Sequence, residues 1–136
     1  MLNTHWDHVS QGAREFGSAL IADRAPTLAA DRPMIVLGDL NAGPDSAAVA
    51  DLVDALGLVD TYRVANPEVE DNEGTFHGWT GDPGGTRIDH VLVDPSLGTP
   101  TEAEILRRSF DGYWPSDHFP VTAVLTEGEL PDEVVP

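Results

Sequence analysis

Four consecutive apolar residues, Met34 to Leu37, lie between Pro33 and Gly38 and limit the folds open to this chain. An all-apolar run this short predicts a strand that is buried on both faces. Such strands belong to sheets that are covered by other layers of secondary structure. The run therefore indicates an α/β or α+β layered domain.

Two helices are predicted around this strand. Ser10 can cap the first helix, which should run to about Arg24 with Phe16 and Leu20 on one face. Pro26 should end or kink this helix, because proline removes a helical hydrogen-bond donor and clashes with the preceding turn.

The second helix has a clearer signature. Asp45 or Ser46 can cap its start, and Gly57 stands where a left-handed C-cap residue belongs. Four apolar residues have the spacing i, i+3, i+4, i+7, namely Val49, Leu52, Val53 and Leu56. This spacing is typical of an amphipathic helix.

The rest of the chain is predicted to be loop and strand. Residues 66–86 are rich in Asn, Pro, Glu, Asp and Gly, so we expect a loop with a short extended piece at 75–77. Strands are predicted at 88–93, 103–110 and 119–126. Residues 1–126 should form one α/β (α+β) domain with about two helices and five strands, and the acidic residues 127–136 a frayed tail.

The charge balance restricts the possible partners. Asp and Glu number 24 against 7 for Lys plus Arg, which gives a formal net charge of −17. This charge disfavours nucleic-acid binding and attraction to an anionic membrane, because both need clustered basic residues. It is compatible with the binding of divalent cations.

Other absences narrow the class of protein. There is no Cys, which excludes disulfides and zinc–thiolate sites. No apolar run approaches the ~20 residues needed to cross a bilayer. Residues 1–5 have neither the basic nor the apolar part of a signal peptide, so we expect a cytoplasmic protein.

Four short polar segments interrupt the apolar pattern near predicted strand ends, where α/β proteins collect functional groups. They are 3–8 (NTHWDH), 38–42 (GDLNA), 87–90 (RIDH) and 116–120 (SDHFP). Structural explanations exist as well, since 38–42 is a common turn sequence and Ser116 could cap a turn. We expect at least two of three further histidines to be surface or packing residues: His8, His77 and His90.

The side chains in these segments suit a particular chemistry. Asp39, Asn41 and Asp117 offer hard oxygen ligands, which favour Mg²⁺, Mn²⁺ or Ca²⁺. Asp89 lies in an otherwise apolar strand and needs a partner or a solvated cleft. A pair of Asp89 with His118 would hold the imidazole in one tautomer and favour its protonated form. The expected reaction is metal-assisted hydrolysis of a phosphoester.

Five segments in this order resemble the endonuclease/exonuclease/phosphatase superfamily, which includes deoxyribonuclease I: NTHWDH, GDLNAGPDS, TFHGW, RIDHVLV and SDHFPV. The resemblance implies a four-layer sandwich of two sheets with helices outside. Its members are about twice as long as this chain. The chain is therefore expected to form one half of that sandwich, a mixed and mostly antiparallel sheet with helices on one face.

The resemblance also implies roles for individual residues. His5 is similar to the histidine that contacts the scissile phosphate. Asp39 is similar to the aspartate that orients or deprotonates the attacking water, and Asn41 to the asparagine that contacts phosphate or metal. Both are expected near the metal.

The later segments imply three further roles. Asp89 is similar to the aspartate that hydrogen-bonds the catalytic histidine, and His118 to that histidine. Asp117 is similar to a metal-site carboxylate. His77 falls in a substrate-side loop and is expected to contact substrate.

Residues 1–126 resemble the C-terminal half of the family domain, and the Asn and the metal-binding Glu of its first half have no counterpart here. The sheet face that packs against the other half would then be uncovered, and large exposed apolar faces are a liability. We expect a homodimer, or a missing N-terminal half, to cover it.

The leading interpretation is a metal-dependent phosphoesterase that acts on a mono- or diester of a small molecule, such as a sugar phosphate or a nucleotide. One alternative is a non-catalytic metal-binding or interaction module that retains the family motifs. A nuclease is a further alternative, which the net charge of −17 disfavours.

Overall fold

A computed structural model describes residues 1–30 and 32–126, so the predicted tail at 127–136 lies outside the described residues. The elements in chain order are β1 (Leu2–His5), α1 (Gln11–Ala29), β2 (Ile35–Asp39), α2 (Ala47–Leu56), β3 (Val59–Asp60), α3 (Thr61–Ala65), β4 (Asp89–Val93), β5 (Thr99–Ile105) and β6 (Val121–Thr126). A short 3-10 helix, Pro95–Leu97, joins β4 to β5. Within these ranges no helix is both long and apolar enough to cross a membrane.

The strands form a mixed sheet and a separate pair. In the sheet the order is β1-β2-β4-β3, with β1 parallel to β2 and β4 antiparallel to both of its neighbours. Strands β5 and β6 pair antiparallel with each other. The predicted fold class is confirmed, although the described strands divide into two hydrogen-bonded units where one sheet was expected.

Helices α1 and α2 cover one face of the mixed sheet. Val36 and Leu92 point to this face, and both are fully buried against Leu52 of α2 and the indole of Trp6. Because side chains alternate along a strand, Leu37 and Val91 point to the opposite face, where they are only half-buried. The prediction of a strand buried on both faces therefore holds only for the helix side.

Helix α1 departs from its prediction in length and in its packed face. Ser10 is the N-cap as expected, but the helix continues past Pro26 to Ala29. Proline costs the helix only one donor here, and the Pro26 carbonyl still accepts the Ala30 N–H. Phe16 is 71% exposed, and the buried residues of this helix are instead Ser18 and Ala25.

Helix α2 agrees closely with its sequence signature. Ser46, not Asp45, is the N-cap and its side chain accepts the Val49 N–H. Gly57 is the C-cap in the left-handed conformation, with φ 63°. Val49 and Leu52 of the predicted apolar face are buried.

The bounds of β5 differ from the prediction of a strand at 103–110. The strand begins earlier, at Thr99, and ends at Ile105, because its pairing with β6 sets its bounds, with a register shift between Pro100 and Glu102. Ile105 pairs with Val121, the first residue of β6, and Pro120 before it has no N–H to extend the ladder. Strands β1 and β3 and helix α3 were not predicted, and the loop predicted at 66–86 is present.

Candidate active site

Three side chains of the predicted site form one row across three strands of the mixed sheet. The strand register places His5 beside Asp39, and Asp39 directly opposite Asp89. Two carboxylates that face each other on neighbouring strands repel unless a positive charge lies between them. The row therefore marks a place where a positive charge is needed.

Imidazoles lie against these carboxylates. Nδ1 of His118 is 2.8 Å from Oδ2 of Asp89, and Nε2 of the same ring is 3.8 Å from Oδ2 of Asp39. From the other side, Nε2 of His5 lies 3.4 Å from Oδ2 of Asp39. The Asp39 side chain is 15% exposed and that of His5 is 72% exposed. The carboxylate is thus held inside the site, whereas His5 is open to an incoming ligand.

The charge state of His118 is set by opposing effects. Burial lowers the pKa of the imidazole, but the hydrogen bond and charge of Asp89 raise it, with further contributions from Asp39 and Asp117. The net result is a raised pKa. Because Nδ1–H donates to Asp89, the protonated ring can offer Nε2–H toward Asp39 and the space beside it.

A tight loop after β2 positions Asp39 and Asn41. Asn41 adopts a left-handed conformation with φ 47°, and its N–H donates to Oδ1 of Asp39 at 2.8 Å. Its side-chain Nδ2 donates to the carbonyl of Trp6 at 2.9 Å and to Oδ2 of Asp39 at 3.2 Å. Asn tolerates this conformation better than most residues do, which explains why an Asn follows the aspartate.

Two hydroxyl groups position the Asp89–His118 pair, and of these only Ser116 was expected to cap a turn. The fully buried Thr75 accepts the N–H groups of Ile88 and Asp89 at 3.0 and 3.2 Å, and so fixes the start of β4. Ser116 accepts the N–H of His118 at 3.1 Å. The Thr75 contacts join residues 13 and 14 positions apart, and Thr75 gave no signal beyond its place in the TFHGW segment, whereas Ser116 contacts a residue only two positions away.

An open cleft of about 670 Å³ contains the site. Its lining includes every residue with a predicted role except His77, namely His5, Asp39, Asn41, Asp89, Asp117 and His118. The other lining residues are His8, Phe76, Ile88 and Ser116. The four polar segments, which span most of the sequence, therefore meet at one place. The individual roles given to these residues stay predictions.

His77 is buried and is not among the residues that line the cleft. Its ring is 5% exposed, stacks on Phe119 at 4.1 Å and accepts the Gly81 N–H at Nδ1. The neighbouring Phe76 lines the cleft instead, because successive residues of the extended segment point in opposite directions. His90 is also buried, at 1% exposure, so two of the three further histidines are packing residues as expected.

Asp39, Asp89 and His118 form a group that fits a divalent cation. One ligand atom from each residue lies within 4.8 Å of the other two, and all three residues are half-buried. Carboxylate oxygens suit Mg²⁺ or Mn²⁺, so Asp39 and Asp89 would supply the ligands, while the protonated His118 keeps its hydrogen bond to Asp89 beside them. Of the other predicted ligands, Asn41 adjoins this group through Asp39, whereas Asp117 lines the cleft outside it.

Comparison with known proteins identifies the family. The sequence profile of the endonuclease/exonuclease/phosphatase family matches residues 2–118. The chain belongs to this family. The resemblance noted from the motifs is thereby confirmed, and members of the endonuclease/exonuclease/phosphatase family include phosphatases and nucleases that hydrolyse phosphoester bonds. No curated protein matches the chain.

Solved structures of the endonuclease/exonuclease/phosphatase fold are similar. A mannosyl-6-phosphatase of Bacteroides thetaiotaomicron is 28% identical with a TM-score of 0.75, covering 91% of this chain and 49% of its own. A functionally unknown protein of Enterococcus faecalis is 29% identical with a TM-score of 0.77, covering 93% and 49%. A Neisseria 3′ phosphatase bound to a product DNA hairpin, 24% identical with a TM-score of 0.64, covers 85% and 52% and shows the same fold. The chain spans about half the length of these structures.

Proposed function

We propose that this chain carries the acid–base half of a metal-dependent phosphoesterase that hydrolyses a small phosphorylated molecule. The observation that carries the proposal is the hydrogen-bonded pair of Asp89 and His118, which lies beside the Asp39 carboxylate in one open cleft. Membership of a family that hydrolyses phosphoester bonds supports the same reaction.

Each side chain has a proposed part in that reaction. Asp39 orients and deprotonates the attacking water, and Asn41 holds the phosphate or the metal beside it. Asp89 keeps His118 protonated, so the ring donates from Nε2 to a phosphoryl oxygen or to the leaving group. His5, exposed at the rim, contacts the phosphate.

A divalent cation is proposed to bind at Asp39, with Asn41, Asp89 and Asp117 close by. Mg²⁺, Mn²⁺ or Ca²⁺ bound there would supply positive charge against the phosphoryl oxygens. The protein's own contribution is to hold two carboxylates and one imidazole within 4.8 Å of one another in a half-buried position. Interactions between charges are stronger there than in bulk water.

The proposed substrate is a small phosphoester such as a sugar phosphate. The mannosyl-6-phosphatase that is 28% identical to this chain supports this choice. The net charge of −17 also favours a small ligand over a polynucleotide, because a long anionic partner meets repulsion over a wide area.

We further propose that residues 1–126 act as one half of a larger catalytic unit. The sheet face that carries Asp39 and Asp89 also carries the half-buried Leu37 and Val91, and α1 and α2 lie on the other side. A second copy of this chain, or an N-terminal half with its own metal ligand, would cover this face.

Hydrolysis of p-nitrophenyl phosphate and of bis(p-nitrophenyl) phosphate under a titration with Mg²⁺ or Mn²⁺ tests the proposal. We expect metal-dependent turnover of one ester and a loss of roughly 10²–10⁴-fold in Asp39→Asn and in His118→Gln. Asp51→Asn, which removes an exposed carboxylate from α2 outside the cleft, is the matched control and should retain full activity.

Two outcomes would contradict the proposal. One is the absence of turnover both for the chain alone and with an N-terminal half of a relative added. The other is a folded chain without any metal-dependent thermal shift, which is the result expected of a non-catalytic module. Faster cleavage of DNA than of either small ester would favour a nuclease.

A further inference from the structure

Strand β4 carries two adjacent polar side chains, Asp89 and His90, on opposite faces of the sheet. Asp89 points into the cleft, where it holds His118. The next residue, His90, points into the interior and is 1% exposed. A buried imidazole needs hydrogen-bond partners for both of its nitrogens, so its contacts show what it does.

Both ring nitrogens of His90 have a partner. Nε2 lies 2.9 Å from the carbonyl oxygen of Ala42, which is 48 residues away in the sequence. A carbonyl can only accept, so Nε2 carries the hydrogen. Nδ1 then accepts from Nη1 of Arg87 at 2.9 Å, because a guanidinium can only donate. The two neighbours together permit a single neutral tautomer.

Arg87 is itself held in a fixed position. Its side chain is 1% exposed, and Nη2 forms an ion pair with the carboxylate of Asp60. The guanidinium also stacks over the ring of Tyr62, with 4.8 Å from its central carbon to the ring centroid. A continuous network of contacts therefore runs from the half-buried Asp60 through the buried Arg87 and His90 to the Ala42 carbonyl.

This network of contacts ends at the loop that carries two proposed active-site residues, Asp39 and Asn41. Ala42 is 7% exposed and directly follows Asn41, which is in a left-handed conformation with φ 47°. On the cleft side, Asn41 is tied to Asp39 and to the Trp6 carbonyl. On the buried side, His90 holds the carbonyl of the very next residue.

We propose that His90, supported by Arg87 and Asp60, is a positioning residue that sets the backbone of the 39–42 loop and thereby aims Asp39 and Asn41 into the cleft. The proposal rests on the function proposed above and adds a role for a side chain that never touches the ligand. It makes β4 the common support of the site, because Asp89 orients His118 from one face while His90 orients the Asp39 loop from the other.

Spectra of the metal-free, ¹⁵N-labelled chain test the contacts directly. We expect the ring nitrogens of His90 to show the Nε2–H tautomer. His90→Phe keeps a ring of similar size but removes both hydrogen-bonding nitrogens, and His90→Gln keeps a donor for Ala42 and an acceptor for Arg87. Ser18→Ala is the matched control, because it removes a buried bond of the same kind, from Oγ to the Ala48 carbonyl.

The expected result is a change confined to the site. His90→Phe should shift the side-chain amide resonances of Asn41 and weaken Mn²⁺ binding by roughly 10–100-fold, as loss of an outer support commonly does. His90→Gln should restore most of both, and Ser18→Ala should change neither although its stability falls.

Three results would overturn the proposal: an Nδ1–H tautomer in the unmodified chain, unchanged Asn41 resonances in His90→Phe, or an equal change in Ser18→Ala. The tautomer is measured in the unmodified chain, so it still tests the proposal if His90→Phe fails to fold. The spectra need neither metal nor substrate. A chain that hydrolyses nothing but shows these shifts refutes the proposed function alone, and an active chain without them refutes the positioning role alone.

Discussion

The pKa of the His118 imidazole is the result of competing effects. Burial alone lowers its pKa, yet three carboxylates around it reverse the sign, and Asp89 contributes most of the reversal. A ring that stays protonated to higher pH is suited to donate a proton or a hydrogen bond to a phosphate. The same ring is also a pH-dependent contribution to stability.

We expect the titration midpoint of His118 in the metal-free chain to lie above that of a free histidine, and Asp89→Asn to lower it. A raised folded-state pKa means that this stabilisation is complete below the unfolded-state value, ~6.5, and is lost as the pH rises through the folded-state pKa. Imidazole NMR shifts and urea unfolding over this pH range measure both effects. Asp117→Asn should lower the midpoint less, and an unchanged midpoint in Asp89→Asn would contradict the account.

At this scale the sequence predicted which residues share the cleft but not the residues that support them. Six predicted residues line the cleft, because motifs that end strands on one side of a sheet meet at one edge. His77, for which a substrate contact was predicted, is buried, since the pattern did not reveal which face of the TFHGW segment is outward. Thr75 and His90 act through hydrogen bonds to distant backbone groups, and such bonds have no local signature.

Among the elements, those with local determinants were predicted best. Both caps of α2 were found because a side chain at Ser46 and a left-handed Gly57 satisfy backbone groups nearby. The bounds of β5 were wrong because its partner β6 sets them across a loop. Helix α1 continues past Pro26, which costs it one donor, while the Pro26 carbonyl accepts the Ala30 N–H at the end of the helix.

The junction between the long loop and β4 gives an element-scale prediction. Thr75→Val keeps the shape of a fully buried side chain but removes the acceptor of two N–H groups at the start of β4. We expect the free energy of unfolding to fall by about 1–3 kcal/mol, the cost of leaving buried donors unpaired. Urea denaturation measures this change.

Thr61→Val is the matched control for this prediction. Thr61 is equally buried, and its hydroxyl donates to the Val91 carbonyl at 2.9 Å, so the substitution removes one bond where Thr75→Val removes two. It should cost only about 0.5–1.5 kcal/mol. A larger loss in Thr61→Val than in Thr75→Val would show that the loop is not fixed through this hydroxyl.

At the scale of the whole molecule, the site lies on the face of the mixed sheet that the helices leave uncovered. Asp39 and Asp89 project from the face opposite to α1 and α2, and the apolar side chains beside them on that face are only half-buried. The similar solved structures are about twice as long, so they contain a second unit of comparable size. An unpaired face of this kind favours association.

We therefore expect the chain to associate through the face that carries Leu37, and sedimentation at micromolar concentration to show a dimer. Leu37→Lys should shift the chain to monomer, because the long side chain reaches water from a half-buried position and places a charge in the interface. Phe16→Lys adds the same charge to α1, where Phe16 is 71% exposed, and should leave the dimer intact. Dissociation by Phe16→Lys alone would place the interface elsewhere. A well-folded monomer of the unmodified chain would show that there is no such interface, and the cleft would then have to function with one of its walls open to solvent.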